Sequence, residues 1–71
     1  MTLEEVDRYN AEYFGVSVEL SAEHRRLMGM PMGQWPENLK AKVKEHVDRY
    51  MLCGEVVADA VAEWLKAGGK S

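Results

Sequence analysis

Three groups of residues in this 71-residue chain have types and spacings that could do chemistry. The first is Met28-Gly29-Met30-Pro31-Met32. Methionines at alternating positions can set thioether sulfurs around a soft ion such as Cu(I), and His24, one turn before Met28, could complete the ligand set. The same run serves equally as adaptable packing over a core, together with Trp35, or as a contact surface for a partner. Copper sites of this type belong mostly outside the reducing cytosol. The N-terminal run Met1-Thr2-Leu3-Glu4-Glu5 is acidic where an export signal is basic and then apolar. The run is therefore read as packing and partner contact, with no metal and no cofactor.

The second group is His46 with Cys53, seven residues apart and so on one face of a continuous helix. The spacing matches no zinc pattern. A catalytic Cys–His pair also needs an oxyanion site and a pocket, which so small a domain can scarcely build. Cys53 is read as a small buried hydrophobe. The third group is acidic. Glu55, Asp59 and Glu63 stack at i,i+4 rather than facing each other across a cleft, which suits a solvated or partner-facing edge better than acid/base catalysis. Gly69-Lys70-Ser71 resembles the end of a phosphate-binding loop, but the first glycine of that loop would fall at Trp64, and no strand precedes it. No catalytic residue is assigned, and the chain is read as non-enzymatic.

The elements that must position these residues are helical. Thr2 and Glu5 fit a capping box, and Leu3, Val6, Tyr9 and Tyr13 follow one face to Gly15, which predicts a helix over about 3–14. Val16-Ser17-Val18-Glu19-Leu20 alternates at a strand period, but a lone strand has no ladder, so the segment is read as an extended linker. Ser21 caps a short helix, Ala22–Met28, closed by Gly29. Met30–Pro36 is a breaker-rich loop with no helical option, and Pro36 suits the first position of the next helix.

From Leu39 to Leu65 an apolar stripe runs Val43, Val47, Tyr50, Gly54, Val57, Val61, Trp64 in steps of four and three. Unbroken, it makes a helix of about 30 residues, or ~45 Å. Glu55 and Asp59 fit better in the first turns of a new helix, where they oppose its positive pole, and Gly54 costs about 1 kcal/mol inside a helix. A kink or break at Cys53-Gly54 is favoured. Gly54, Ala58 and Ala62 form a small-residue row beside the stripe, open to close approach by another helix, whether from this chain or another. Gly68-Gly69 ends the helix, and Lys70-Ser71 should fray. An echo links residues 4–9 to 45–50: Val6-Asp7-Arg8-Tyr9 repeats as Val47-Asp48-Arg49-Tyr50.

Bulk numbers bound the rest. One domain of this length has a stability of about 3–5 kcal/mol unless a partner or second copy adds to its core. The composition, 46% hydrophobic and 30% charged, is that of a globular chain. One cysteine excludes an intrachain disulfide and favours a cytoplasmic home. No stretch approaches the ~20 apolar residues of a membrane span. Net charge is −3, with Arg25, Arg26, Lys40, Lys42 and Lys44 in one local patch. That balance argues against nucleic acid, whose binding rests on phosphate neutralisation.

The expected fold is all-α: a small bundle of three to four helices, residues 1–71 as one domain, with a long C-terminal helix or a kinked helix pair over about 37–67. The first helix should pack on the helix after Pro36. The expected function is protein–protein binding of a regulator or inhibitor type, such as phages and mobile elements encode in chains of this size. Its contacts would be Met30, Met32 and Trp35, with Glu55, Asp59, Ala62 and Glu63 on the C-terminal helix, which could also pair with a second copy. The alternatives are a small structural subunit of an enzyme assembly and a nucleic-acid regulator.

Overall fold

The computed structural model describes residues 1–69, so the expected fraying of Lys70-Ser71 lies outside the described residues. Four helices follow one another: α1 (Leu3–Phe14), α2 (Val18–Met28), α3 (Glu37–Arg49) and α4 (Gly54–Lys66), with a short 3-10 turn at Met32–Gln34. The all-α bundle is as expected. Its radius of gyration, 11.7 Å, matches the ~11 Å of a chain this long closed on its own core.

The helix ends follow local chemistry. Thr2 Oγ1 accepts the Glu5 N–H at 3.2 Å, and Gly15 takes the left-handed conformation, φ 68°, that closes α1. The linker expected over Val16–Leu20 is not there. Ser17, not Ser21, is the N-cap, its Oγ accepting the Leu20 N–H at 3.1 Å, so α2 starts at Val18. A five-residue alternation also places Val16 and Leu20 one helical turn apart, and the cap decides between the two periods. Ser21 lies fully buried inside α2. The loop after Met30 does hold a helical turn, and Pro36 sits just before α3, leaving Glu37 as its first residue.

The long stripe breaks, as favoured. α3 stops at Arg49 and α4 begins at Gly54. Gly54 is the first residue of α4 rather than a cap of α3, and it carries no positive φ. Glu55 falls in the first turn of α4, where its charge opposes the positive pole. The break lets α4 fold back along α3. The core between them and α2 is Leu27, Trp35, Leu39, Val43, Val57, Ala60, Val61 and Leu65.

Two expectations about packing are corrected. α1 packs on α2, not on α3. Its buried face is Asp7 and Ala11, while Leu3, Tyr9 and Tyr13 of the expected apolar face are exposed. The reason is Arg25 on α2. Its Nε and Nη2 donate to the two Asp7 carboxylate oxygens at 2.8 and 3.2 Å, a bidentate pair that turns the Asp7 side of α1 inward. Trp35, expected as an exposed contact, is buried. Its Nε1–H donates to the Leu27 carbonyl at 2.9 Å, so the indole satisfies a chain end of α2 while filling the core.

Candidate functional site

An open groove of about 830 Å³ lies where the C-terminal ends of α1 and α3 meet the outer face of α4. Its floor is Val56, Asp59, Ala62 and Glu63 of α4. Tyr13 and Phe14 form one wall; His46, Arg49 and Tyr50 form the other. Met51, Cys53 and Glu55 stand at one end and Lys66 at the far one.

The walls are fixed by side chains that reach across helices. Phe14 stacks on the His24 ring, 4.6 Å between centroids. His24 is buried, and its Nε2 lies 3.0 Å from the Ala58 carbonyl, so it donates its N–H to α4. This one histidine thereby ties the end of α1 and the middle of α2 to the small-residue row of α4. Within that row Ala62 is buried and Ala58 half-buried, while Gly54 is exposed. On the other wall, His46 Nδ1 lies 3.0 Å from the Lys42 carbonyl, and its Nε2 contacts the Glu63 carboxylate.

These contacts answer the chemical candidates. His46 and Cys53 do line one groove, but across a helix break rather than along one helix. Both His46 nitrogens already face oxygen acceptors, so neither is free to take the Cys53 thiol proton. Cys53 is half-buried rather than core, and its side chain makes no capping hydrogen bond to α4. His24 is turned into α4, away from a shared site with the methionines. Met28 and Met32 are exposed, whereas Met30 packs on the core and accepts from Arg26 Nη1 at 3.2 Å. Among the described residues no group of three His, Cys, Asp or Glu is placed to hold a metal ion.

The expected contact residues divide into two sets. Glu55, Asp59, Ala62 and Glu63 come together in the groove. Ala62 is buried and serves as floor, and Glu63 is engaged by His46. Met30, Met32 and Trp35 are not part of it. Trp35 is core, Met30 is half-buried beside Trp64, and Met32 lies on another face with Leu52.

Tyr13, Tyr50 and Met51 were not foreseen as site residues. Tyr50, Met51 and Leu52 are 64%, 64% and 75% exposed, three consecutive apolar side chains at one corner. The 45–50 echo is a sequence signal for Tyr50 alone; Tyr13 and Met51 lie outside it. In both copies the valine is half-buried and the tyrosine faces out, Tyr9 at 67% and Tyr50 at 64%.

Charge is distributed unevenly around the groove. Arg25 pairs with Asp7, Arg26 with Glu23, Lys40 with Glu37 and Lys44 with Asp48. The hydrogen bonds within these pairs hold the Asp7 and Glu23 carboxyls below their ordinary range and lift Lys44 above its own. The basic patch read from the sequence is thus largely neutralised by the chain's own acids. Arg49 faces Glu45 at 3.7 Å. Glu55 and Asp59 hold no ion pair among the described residues.

Comparison with protein-family models, curated proteins and solved structures gave no match for this chain. No helix among the described residues is long and apolar enough to cross a membrane.

Proposed function

We propose that this chain acts by binding another protein at the α3–α4 corner, as a small non-enzymatic regulator or inhibitor. One observation carries the reading: Tyr50, Met51 and Leu52 project together beside an open groove while the core behind them is already closed. Contiguous apolar side chains in water are a cost that a partner relieves. Tyrosine and methionine are also favoured contact residues, the first for its rigid area and the second for its adaptability. A standard interface of about 800 Å² per partner would take roughly a sixth of this chain's 4814 Å² surface, enough to span the corner and the groove. The single thiol fits a reducing, cytoplasmic setting.

The test is capture under native conditions by the wild-type chain and by a Tyr50→Ser, Met51→Ser, Leu52→Ser variant of unchanged thermal midpoint. A protein retained by the first and lost by the second is the expected result. Equal capture by both, or no capture by a chain that is strictly monomeric, would overturn the reading.

A further inference from the structure

The groove carries aromatic side chains on both walls, Tyr13 and Phe14 facing Tyr50, and is acidic along one edge of its floor, and that combination selects its occupant. Glu55 and Asp59 are one turn apart on α4, about 6 Å along the axis, and neither is in an ion pair among the described residues. Arg49 on the opposite wall faces Glu45 instead. Lys66 closes the far end, about 10 Å beyond Asp59. The groove therefore has a negative end beside Tyr50 and Met51 and a positive end beside the close of α1.

The occupant's backbone is constrained as well. An extended peptide docks by adding to a sheet edge, and the described residues hold only helices. A segment that satisfies its own backbone hydrogen bonds, an α-helix, suits an open groove with no edge to offer. A second copy of this chain suits it poorly. A two-fold contact centred on the groove would bring the one Lys66 of one copy toward both Glu55 and Asp59 of the other, one cation for two acids, which leaves an acid in excess at each end.

On these grounds we propose that the groove receives an amphipathic α-helix of another protein, with lysine or arginine at one-turn spacing beside its apolar anchors. The proposal rests on the protein-binding reading and names the chemistry of the partner. The cations would meet Glu55 and Asp59, and the anchors would lie between Tyr13 and Tyr50.

Amide NMR of the full chain, titrated with two synthetic peptides, tests it. Both are amphipathic helices of about 18 residues with leucine on one face; one carries lysine at its polar positions and the other glutamate. The lysine peptide is expected to shift Tyr13, Tyr50, Met51 and Asp59. It should bind at least ~10-fold more tightly than the glutamate peptide, by a margin that shrinks as salt rises. A Glu55→Gln, Asp59→Asn variant, its fold checked by the same spectrum, should lose that margin and still bind. Equal binding of the two peptides overturns the charge assignment, and absence of groove shifts with the lysine peptide overturns the docking. Concentration-dependent shifts at the same residues with a doubled mass and no peptide make a second copy the occupant, which also overturns it. If these fail while capture still depends on Tyr50–Leu52, the partner's chemistry is wrong and protein binding stands. If capture fails too, both fall.

Discussion

Two connections flank α3, and both carry large apolar side chains. Met30–Trp35 leads in from α2; Tyr50–Cys53 leads out to α4. By composition the first is the better contact surface, with two methionines, a tryptophan, a proline and a glycine outside the α-helices. The second reads as a continuation of a buried seam. The structure reverses these roles. Trp35 is 4% exposed and Tyr50 is 64%. The first connection folds back over the core because its tryptophan finds an acceptor there, the Leu27 carbonyl at the end of α2. The second has nothing to fold under, because α1 is drawn to α2 by Asp7 and Arg25 and leaves the end of α3 uncovered. Exposure of an apolar segment is set by where the neighbouring helix is tied, more than by its own composition.

The largest effect expected from this contrast is at Trp35. Replacing a buried tryptophan by alanine costs about 3–5 kcal/mol, as much as a domain of this size has in total. Trp35→Ala should be largely unfolded by circular dichroism at 25 °C. Trp35→Phe, which keeps a ring but loses the N–H to Leu27, should fold with a lowered midpoint. A folded Trp35→Ala chain would mean that the first connection is a surface loop after all.

The opposite outcome is expected at the other connection. Tyr50→Ser, Met51→Ser and Leu52→Ser should each change stability by less than about 0.5 kcal/mol in denaturant titration, as exposed sites do. Together they should weaken capture of the partner by at least about tenfold, or 1.4 kcal/mol. A large loss of stability instead would place these side chains in the core and erase the comparison.

The contrast shows what the sequence could carry. The caps at Thr2 and Gly15, the break before Gly54 and the acidic ladder of α4 each depend on residues within a few positions of one another, and all were readable. The stacking of Glu55, Asp59 and Glu63 along one edge of α4 is therefore legible from their spacing alone. The facing walls are not, because Tyr13 and Tyr50, far apart in the chain, come to line one groove only through the way α1 sits. That placement turns on Asp7 and Arg25, an ion pair 18 residues apart that no periodicity announces. The same pair misled the reading of α1, whose apolar side faces out.

Acid should reveal that tie. The Arg25 hydrogen bond holds the Asp7 carboxyl below its ordinary range. A carboxylate whose pKa is lower folded than unfolded adds stability that is fully present above the unfolded value of about 3.9 and is lost as pH falls through the folded one. Glu23, lowered by Arg26, acts in the same direction. The thermal midpoint should therefore fall as pH drops below about 4, and Asp7→Asn should fall less steeply. Loss of α1 protection in hydrogen exchange should accompany the acid limb if this pair is what fixes α1 on α2. An identical slope in Asp7→Asn would show that something else holds α1 there.

The smallest effect tests what bends the seam. If Gly54 enforces the break by its flexibility, alanine there should restore one straight helix. The structure argues otherwise. Gly54 has no positive φ, it is already the first residue of α4, and a β-carbon on it would meet no atom within 4 Å. The turn is made earlier, at Tyr50 (φ −110°, ψ −77°) and Cys53 (φ −152°, ψ 161°), and it is held by α4 lying back on Leu39 and Val43. Gly54→Ala should accordingly leave the break in place and stabilise the chain by about 0.4–1 kcal/mol, through the entropy the unfolded backbone loses. Thermal midpoint and the amide shifts of Tyr50–Cys53 read the two parts separately. A raised midpoint with unmoved shifts keeps the corner as a property of the packed core. Shifts that turn helical through Tyr50–Cys53 would make the corner a property of one glycine.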